Sequence, residues 1–385
     1  MTGQERLWLW LNYATEHNPK LFYRILQQFD DIEEAFDAAK RKEFALFGEL
    51  PDSVRQRMVQ ASADRFMDRY VAWIERRGYG ITTPESPDYP ILLAETENPP
   101  SVLFYRGTMR SDLTLPIGVV GSRNMTDYGK DVAMLFGRQI AEYNGTVVTG
   151  LAPGIDSAAA RGALSCITSD YPVIGVIPCG IDLVFPEGNG ALYQEVAERG
   201  CIMTEMLPKT PVTKFVFRMR NRIISGLSRG VLVVEAGDRS GTSFTVEHAH
   251  DQGREVFAVP GRISDLMSIG TNRLIVRGEA KPVTCIQDVL SEFIDYVQAQ
   301  EDGVKNPNAK KVRFGELSEL GQRIYMSLLQ GERDADELMD FVDTDPASLS
   351  AALTELEFRE VIKQLPGRLY AVDTLHTTVT FDAEL

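Results

Sequence analysis

The chain has 385 residues, 44% of them hydrophobic and 25% charged, an ordinary globular balance that is too long for one typical domain. Its net charge of −15 excludes a protein that coats nucleic acid over its whole surface, but leaves room for a local basic site. No apolar run is long enough to span a bilayer and no secretory signal opens the chain, so a soluble cytoplasmic protein without membrane contacts is expected. Residues 1–82 predict helices only, from Leu7-Trp8-Leu9-Trp10-Leu11 through a turn at Gly48-Glu49-Leu50-Pro51 to an amphipathic helix running from Asp52 to about Arg77. Over residues 83–297 the period changes. Apolar β-rich runs at Ile117–Val120, Thr146–Thr149, Val173–Ile177, Cys201–Thr204, Val231–Val234 and Glu255–Val259 alternate with helical stretches at Tyr128–Tyr143, Ile155–Leu164 and Phe244–Gln252. That alternation predicts a parallel, Rossmann-like sheet covered on both faces. Residues 298–312 read as a linker. Residues 313–375 predict three helices, Ser318–Leu329, Asp334–Val342 and Pro346–Glu360, and a hairpin at Pro366-Gly367, the order of a winged helix. Residues 376–385 read as a loose tail.

The chemistry-bearing residues sit where strands run into helices. Gly121-Ser122-Arg123 follows the first core strand, a turn whose N–H groups and helix dipole favour an anion, with Arg123 suited to phosphate. GxGxxG is absent there, so no dinucleotide cofactor is indicated. Gly150-Leu151-Ala152-Pro153-Gly154-Ile155-Asp156 makes the second such edge, where Asp156 either caps the helix or orients a ligand. The turn Ser240-Gly241-Thr242 makes another, and Gly270-Thr271-Asn272-Arg273 opens a further helix.

Between Glu205 and Glu235 there is no acidic residue, while Lys209, Lys214, Arg218, Arg220, Arg222 and Arg229 all fall inside that gap. Phe215 and Phe217 interleave with these cations, and Arg220-Asn221-Arg222 leads into an apolar helix. Cations that track phosphates among rings that stack on bases suit single-stranded nucleic acid. Cys166, Cys179, Cys201 and Cys285 lie far apart and read as free thiols of a reducing compartment, and His248 and His250 point to different helix faces, so no metal site is expected.

These segments together resemble the DprA (Smf) family of bacterial DNA-processing proteins. The matching pieces are Tyr89-Pro90, Pro99-Pro100 and Tyr105-Arg106-Gly107, then Val120 to Arg123, Gly150 to Ala152, and Gly154-Ile155-Asp156. They continue with Arg220 to Ser228, Ser240-Gly241-Thr242, Gly253 to Gly261 and Gly270 to Ile275. The resemblance implies an extended Rossmann fold flanked by an N-terminal helical, SAM-like domain and a C-terminal winged helix. It also implies single-stranded DNA binding, delivery of that DNA to the RecA recombinase during natural transformation and recombination, and a homodimer, with no catalysis and no cofactor. Carried over position by position, the DNA site comprises Ser122, Arg123, Gly150, Lys214, Phe217, Arg220, Asn221, Arg222, Ser240, Gly241 and Thr242. Pro153 stands where family members often have a basic residue, Ala160 where they often have histidine, and the proline common after the phenylalanine corresponding to Phe217 is missing.

Two rival readings carry less. A phosphoribohydrolase-like nucleotide-binding enzyme would need a glutamate where Thr245 stands, and Glu247 is displaced by two residues, about 200° around a helix. A winged-helix regulator would need a basic recognition helix, whereas the helix from Pro346 offers Glu355 and Glu357.

Overall fold

The structure, a computed structural model, describes residues 1–238, 240–293, 310–329, 331, 333–359, 361–365, 369–372 and 377–380. It divides into two compact units, Met1–Glu292 and Phe293–Leu385.

The first unit opens with helices α1 (Gly3–Ala14), α2 (Pro19–Leu26), α3 (Ile32–Lys40), α4 (Asp52–Ala61) and α5 (Asp64–Glu75). Their starts follow local capping chemistry. Thr2 and Glu5 form a reciprocal box on α1, Asn18 precedes a proline on α2, and Asp31 caps α3. Trp8 stacks on Phe22 and Trp10 meets Phe36 edge-on, each with ring centroids 5.0 Å apart, at the centre of the bundle. The single helix expected from Asp52 to Arg77 breaks in two. The Ser62 hydroxyl donates to the Met58 carbonyl at 2.7 Å and ends α4, a local bond that competes with helix continuation.

The chain continues through β1 (Gly80–Thr82), α6 (Ile91–Ala94), β2 (Leu103–Gly107), β3 (Leu115–Val120), α7 (Asp127–Glu142), β4 (Gly145–Thr149) and α8 (Ile155–Ser165). After these come β5 (Val173–Val176), α9 (Gly190–Arg199), β6 (Cys201–Thr204), α10 (Lys214–Gly226), β7 (Gly230–Val233), α11 (Thr242–Asp251), β8 (Glu255–Ala258), α12 (Ile269–Val276), β9 (Lys281–Pro282) and α13 (Ile286–Leu290). The nine strands form one sheet in the order β1-β2-β6-β5-β4-β3-β7-β8-β9, parallel from β6 to β9 and antiparallel at β1 and β2. Residues 80–82, expected to belong to a purely helical segment, are therefore an edge strand; three residues are too few to show a period. Every residue of β3, β4, β5, β6 and β7 is buried, as a parallel strand covered on both faces requires. Cys166, Cys179 and Cys201 are buried and Cys285 exposed, all as free thiols. Among the described residues no helix is long and apolar enough to cross a membrane.

The second unit is a winged helix: β10 (Lys310–Arg313), α14 (Glu319–Leu328), β11 (Arg333–Asp334), α15 (Ala335–Val342), α16 (Pro346–Phe358), β12 (Ile362–Leu365), β13 (Leu369–Val372) and β14 (Thr377–Thr380). Its core gathers Ile324, Leu328, Leu338, Val342, Leu349 and Leu356. Strands β12 and β13 pair antiparallel up to Leu365 opposite Leu369, and the Pro366-Gly367 turn expected between them lies outside the described residues. The tail expected at 376–385 is not wholly loose. Thr377–Thr380 pairs in parallel with Lys310–Arg313, part of which was expected in the linker. A pairing between segments so distant in sequence leaves no local pattern to read.

Candidate nucleic-acid interface

In the sheet order, the chain steps outward from β3 through β4, β5 and β6, then returns to β3's other side for β7. Between β3 and β7 the connections leave toward opposite edges, which opens a crevice at the carboxyl ends of these strands. A cavity of about 580 Å³ occupies it, lined by the turn after β3, the first two turns of α10, the turn after β7 and the start of α11. Of the expected residues, Ser122, Arg123, Lys214, Phe217, Arg220, Asn221, Ser240, Gly241 and Thr242 line this cavity, while Gly150 and Arg222 do not.

Helix α10 sets the arrangement. Thr213 caps it by accepting from the Val216 N–H, and a 3.6-residue period then places Lys214, Phe217, Arg218 and Asn221 on one stripe toward the cavity. Val216, Ile223 and Ile224 are buried. Two cation–ring pairs result: Arg123 lies 4.4 Å over the Phe217 ring, and Arg218 lies 4.5 Å over Phe244. Phe185 touches Phe217 with centroids 5.7 Å apart. Phe217 is thus held between a guanidinium and a second ring, and the surface it offers to a ligand includes the outer plane of Arg123.

The helix termini differ from expectation. At α7 the N–H groups of the turn are already engaged. Ser122 N–H donates to the Glu235 carbonyl at 2.8 Å, Asn124 N–H to Ser122 Oγ at 3.1 Å, and Thr126 N–H to Glu235 Oε2 at 3.0 Å. Gly129 is required above this carboxylate, because a Cβ there would overlap it. A protein carboxylate therefore occupies the place expected for an external anion. The exposed terminus is that of α11. Gly241 faces free space, the Thr242 N–H donates to Ser240 Oγ and the Ser243 N–H to the Ser240 carbonyl, both at a long 3.3 Å, and the Ser240 and Thr242 hydroxyls lie 2.7 Å apart beside them. A helix dipole, long and weakly held N–H bonds and two hydroxyls give this corner of the cavity groups that can accept a phosphate.

At the cavity floor lie two buried groups of opposite charge, Asp156 and Arg220. Arg220 donates to the Val176 carbonyl at 2.6 Å, and Asp156 accepts the Gly150 N–H at 3.1 Å. Burial pushes the Asp156 carboxyl above its ordinary range and the Arg220 guanidinium below its own, while each partner's charge opposes that shift in the other. Asp156 lies inside the first turn of α8, whose N-cap is Gly154, so its role is to hold the β4 turn and Arg220 and not to cap the helix. Gly150 makes room for the guanidinium, since a Cβ there would overlap it. Arg220 and Gly150, expected as DNA contacts, thus shape the floor.

Arg222 is displaced further. One residue past Asn221 it turns about 100° around α10, away from the cavity. It forms an ion pair with Glu205, which is 3% exposed, and donates to the Asn98 carbonyl at 3.4 Å. Burial pushes the Glu205 carboxyl up to about 7 against the lowering influence of Arg222. A carboxyl raised in the fold from 4.5 contributes stability fully present below pH 4.5 and lost as pH rises through about 7. Thermal melts between these limits are expected to show wild type losing stability relative to Glu205→Gln; parallel curves would contradict this.

Sequence reasoning named Arg218 without placing it in the site and missed Asn124, Phe244 and Met267, which complete the lining. The helical period from Lys214 would have found Arg218; the others arrive from separate turns. Thr245 lines the cavity as a buried residue, whereas Glu247 is exposed and does not line it.

Residues 80–294 match the family described as DNA recombination-mediator protein A. The chain belongs to the DprA family. Residues 315–368 match the DprA winged helix domain. DNA processing protein DprA of Bacillus subtilis is 36% identical over 250 residues, spanning 63% of this chain and 82% of the relative. Protein Smf of Escherichia coli is 32% identical over 304 residues, covering 77% and 78% of the two chains. The crystal structure of Streptococcus pneumoniae DprA aligns with a TM-score of 0.62 at 31% identity, over 74% of this chain and 96% of that one. DNA processing protein A of Helicobacter pylori, a protein with a described single-stranded DNA binding mode, aligns over 56% of this chain and 96% of its own, with a TM-score of 0.51 and 27% identity. In this DprA-family chain the matched region 80–294 contains the whole cleft.

Proposed function

We propose that the cleft binds single-stranded DNA without cleaving it, and that the protein delivers the bound strand to a RecA recombinase during DNA uptake and recombination. The observation that carries this reading is the set of two cation–ring pairs, Arg123 on Phe217 and Arg218 on Phe244, beside the exposed N-terminus of α11. Phosphates would lie against Lys214, Arg123, Arg218 and the Ser240-Gly241-Thr242 turn, and unpaired bases would stack on the guanidinium and ring planes. The lining carboxylate, Asp156, is buried and accepts the Gly150 N–H, which favours holding over acid–base work. The single-stranded DNA binding described for the Helicobacter relative supports the ligand class, and the family's description as a recombination mediator supports the hand-off. The homodimer and the cytoplasmic setting belong to the same reading, on the family resemblance.

The test is fluorescence anisotropy of labelled single-stranded and duplex oligonucleotides over a salt series. Binding to single strands at least about tenfold tighter than to duplex is expected, since base stacking is worth roughly 1–3 kcal/mol per base and a duplex withholds it. Equal binding to both would overturn the stacking geometry.

A further inference from the structure

Beside the cleft runs the loop from Gly261 to Ser268, between β8 and α12, whose Met267 lines the cavity. Hydrogen bonds fix this loop at both ends. The Asn272 carboxamide clamps Gly261, accepting its N–H at 3.1 Å and donating to its carbonyl at 3.0 Å. At the other end the Met267 carbonyl accepts the Ala236 N–H at 2.8 Å, and Met267 Sδ accepts from the Ser122 hydroxyl at 3.3 Å. Between these anchors the Asp265 N–H donates to the Arg262 carbonyl, and the Asp265 carboxylate accepts the Met267 N–H, both at 3.0 Å. The Leu266 carbonyl and the Met267 methyl group pack against Gly237, which also lines the cavity. A Cβ built on that glycine would lie 3.8 and 3.7 Å from them.

This fixed loop holds two large aliphatic side chains in water. Ile263 is 98% exposed and Leu266 68%. Aliphatic residues exposed singly need no explanation, but two on one rigid turn at the lip of a ligand cleft form a contact surface. Because the backbone is held before any ligand arrives, burying them costs little ordering. The acids beside them are already engaged, Asp265 with the Met267 N–H and Asp238 in an ion pair with Arg273. Leu266 and the lining residue Met267 are consecutive, so the ligand this surface can reach is the one that fills the cleft.

We propose that Ile263 and Leu266 form a base-contacting step at the edge of the cleft, against which an unpaired base of the bound strand lies as the strand leaves the Ser240-Gly241-Thr242 corner. This rests on the cleft binding single-stranded DNA. The face of an unpaired base is the part of such a strand with apolar surface to bury. Aliphatic side chains carry no charge and no hydrogen-bonding group, so the step reads no base identity. It neutralises no phosphate and leaves the salt dependence to the cations of the cleft.

The test uses anisotropy of a labelled single strand of about twenty nucleotides and of the same backbone lacking its bases, over a salt series. Wild type is set against the variant carrying Ile263→Ser and Leu266→Ser, and against a conservative variant carrying Ile263→Leu and Leu266→Met. All four substitutions fall at exposed positions, and melting curves confirm a common fold. The serine variant is expected to bind the normal strand about tenfold more weakly, with the wild-type salt slope, while the conservative variant binds as wild type. On the abasic strand all three proteins should bind alike. Unchanged binding of the normal strand by the serine variant would overturn the step and leave the two side chains to another partner. Equal weakening on the abasic strand, a shallower salt slope, or a conservative variant as weak as the serine variant would overturn it too, because each places the effect on the phosphates or the loop backbone. Wild type that bound no single strand would overturn the cleft reading itself, and the step with it.

Discussion

Replacing Arg123, Lys214 and Arg218 together with alanine is expected to remove most of the affinity for single-stranded DNA and flatten its salt dependence. Each cation that neutralises a phosphate contributes about 0.7 to the slope of log K against log salt on a single strand, so losing three should reduce it by about 2. At 0.1 M salt that corresponds to roughly a hundredfold loss relative to the high-salt limit. Two of the three also carry the ring contacts, over Phe217 and Phe244, so the stacking surfaces lose their outer layer at the same time. The informative control is Arg222→Ala. Its side chain pairs with Glu205 outside the cavity, and its removal is expected to lower the melting temperature by leaving a buried carboxylate unpaired. Measured well below that temperature, the salt slope of Arg222→Ala should match wild type. A slope that fell as in the triple variant would place Arg222 on the DNA and overturn the assignment. Because Arg123 and Lys214 are exposed, the triple variant should melt close to wild type, which separates loss of binding from loss of fold.

Gly150→Ala is expected to be among the most damaging single substitutions in the first unit, although it changes no charge. The added methyl group would occupy the space of the Arg220 guanidinium, which is 5% exposed and bonded to the Val176 carbonyl. Neither partner can yield cheaply. The guanidinium would have to give up that carbonyl while its charge stays buried, and an uncompensated buried charge typically costs about 3–5 kcal/mol. Alternatively the β4 turn would have to shift and give up the Gly150 N–H bond to Asp156. Denaturant melts of wild type and Gly150→Ala measure the difference. A loss under about 1 kcal/mol would mean that the floor of the cleft is plastic and that Gly150 is dispensable there. Since the floor carries Asn221 and Phe217 on the same helix as Arg220, DNA affinity should fall along with stability.

Much of the architecture was legible without coordinates because it is written in local periodicity. Core strands such as Cys201–Thr204 show up as short unbroken apolar runs and helices such as Ile155–Ser165 as apolar residues at helical spacing, bounded by glycines and capping residues. The elements that escaped are those without such a pattern: the three-residue edge strand Gly80–Thr82, the break of a long amphipathic helix at Ser62, and the pairing of Thr377–Thr380 with Lys310–Arg313. Each depends on a partner far away in the chain or on one side-chain hydrogen bond.

For the site, the amino-acid order alone determined that a basic, ring-bearing segment free of acids precedes an apolar helix, and that several small-residue turns follow core strands. Which of those cations face a ligand was decided only by the tertiary structure. Arg218, Arg220 and Arg222 stand two residues apart in an unbroken stretch, yet one lines the cleft against Phe244, one is buried beneath it with Asp156, and one turns away to Glu205. The same selection decided between helix termini, closing α7 with the Glu235 carboxylate and leaving α11 exposed, with only long bonds inside its own turn. The reason is physical: charge and composition are properties of a segment, whereas access to a ligand depends on where neighbouring elements place the counter-charges and carbonyls that engage each group first.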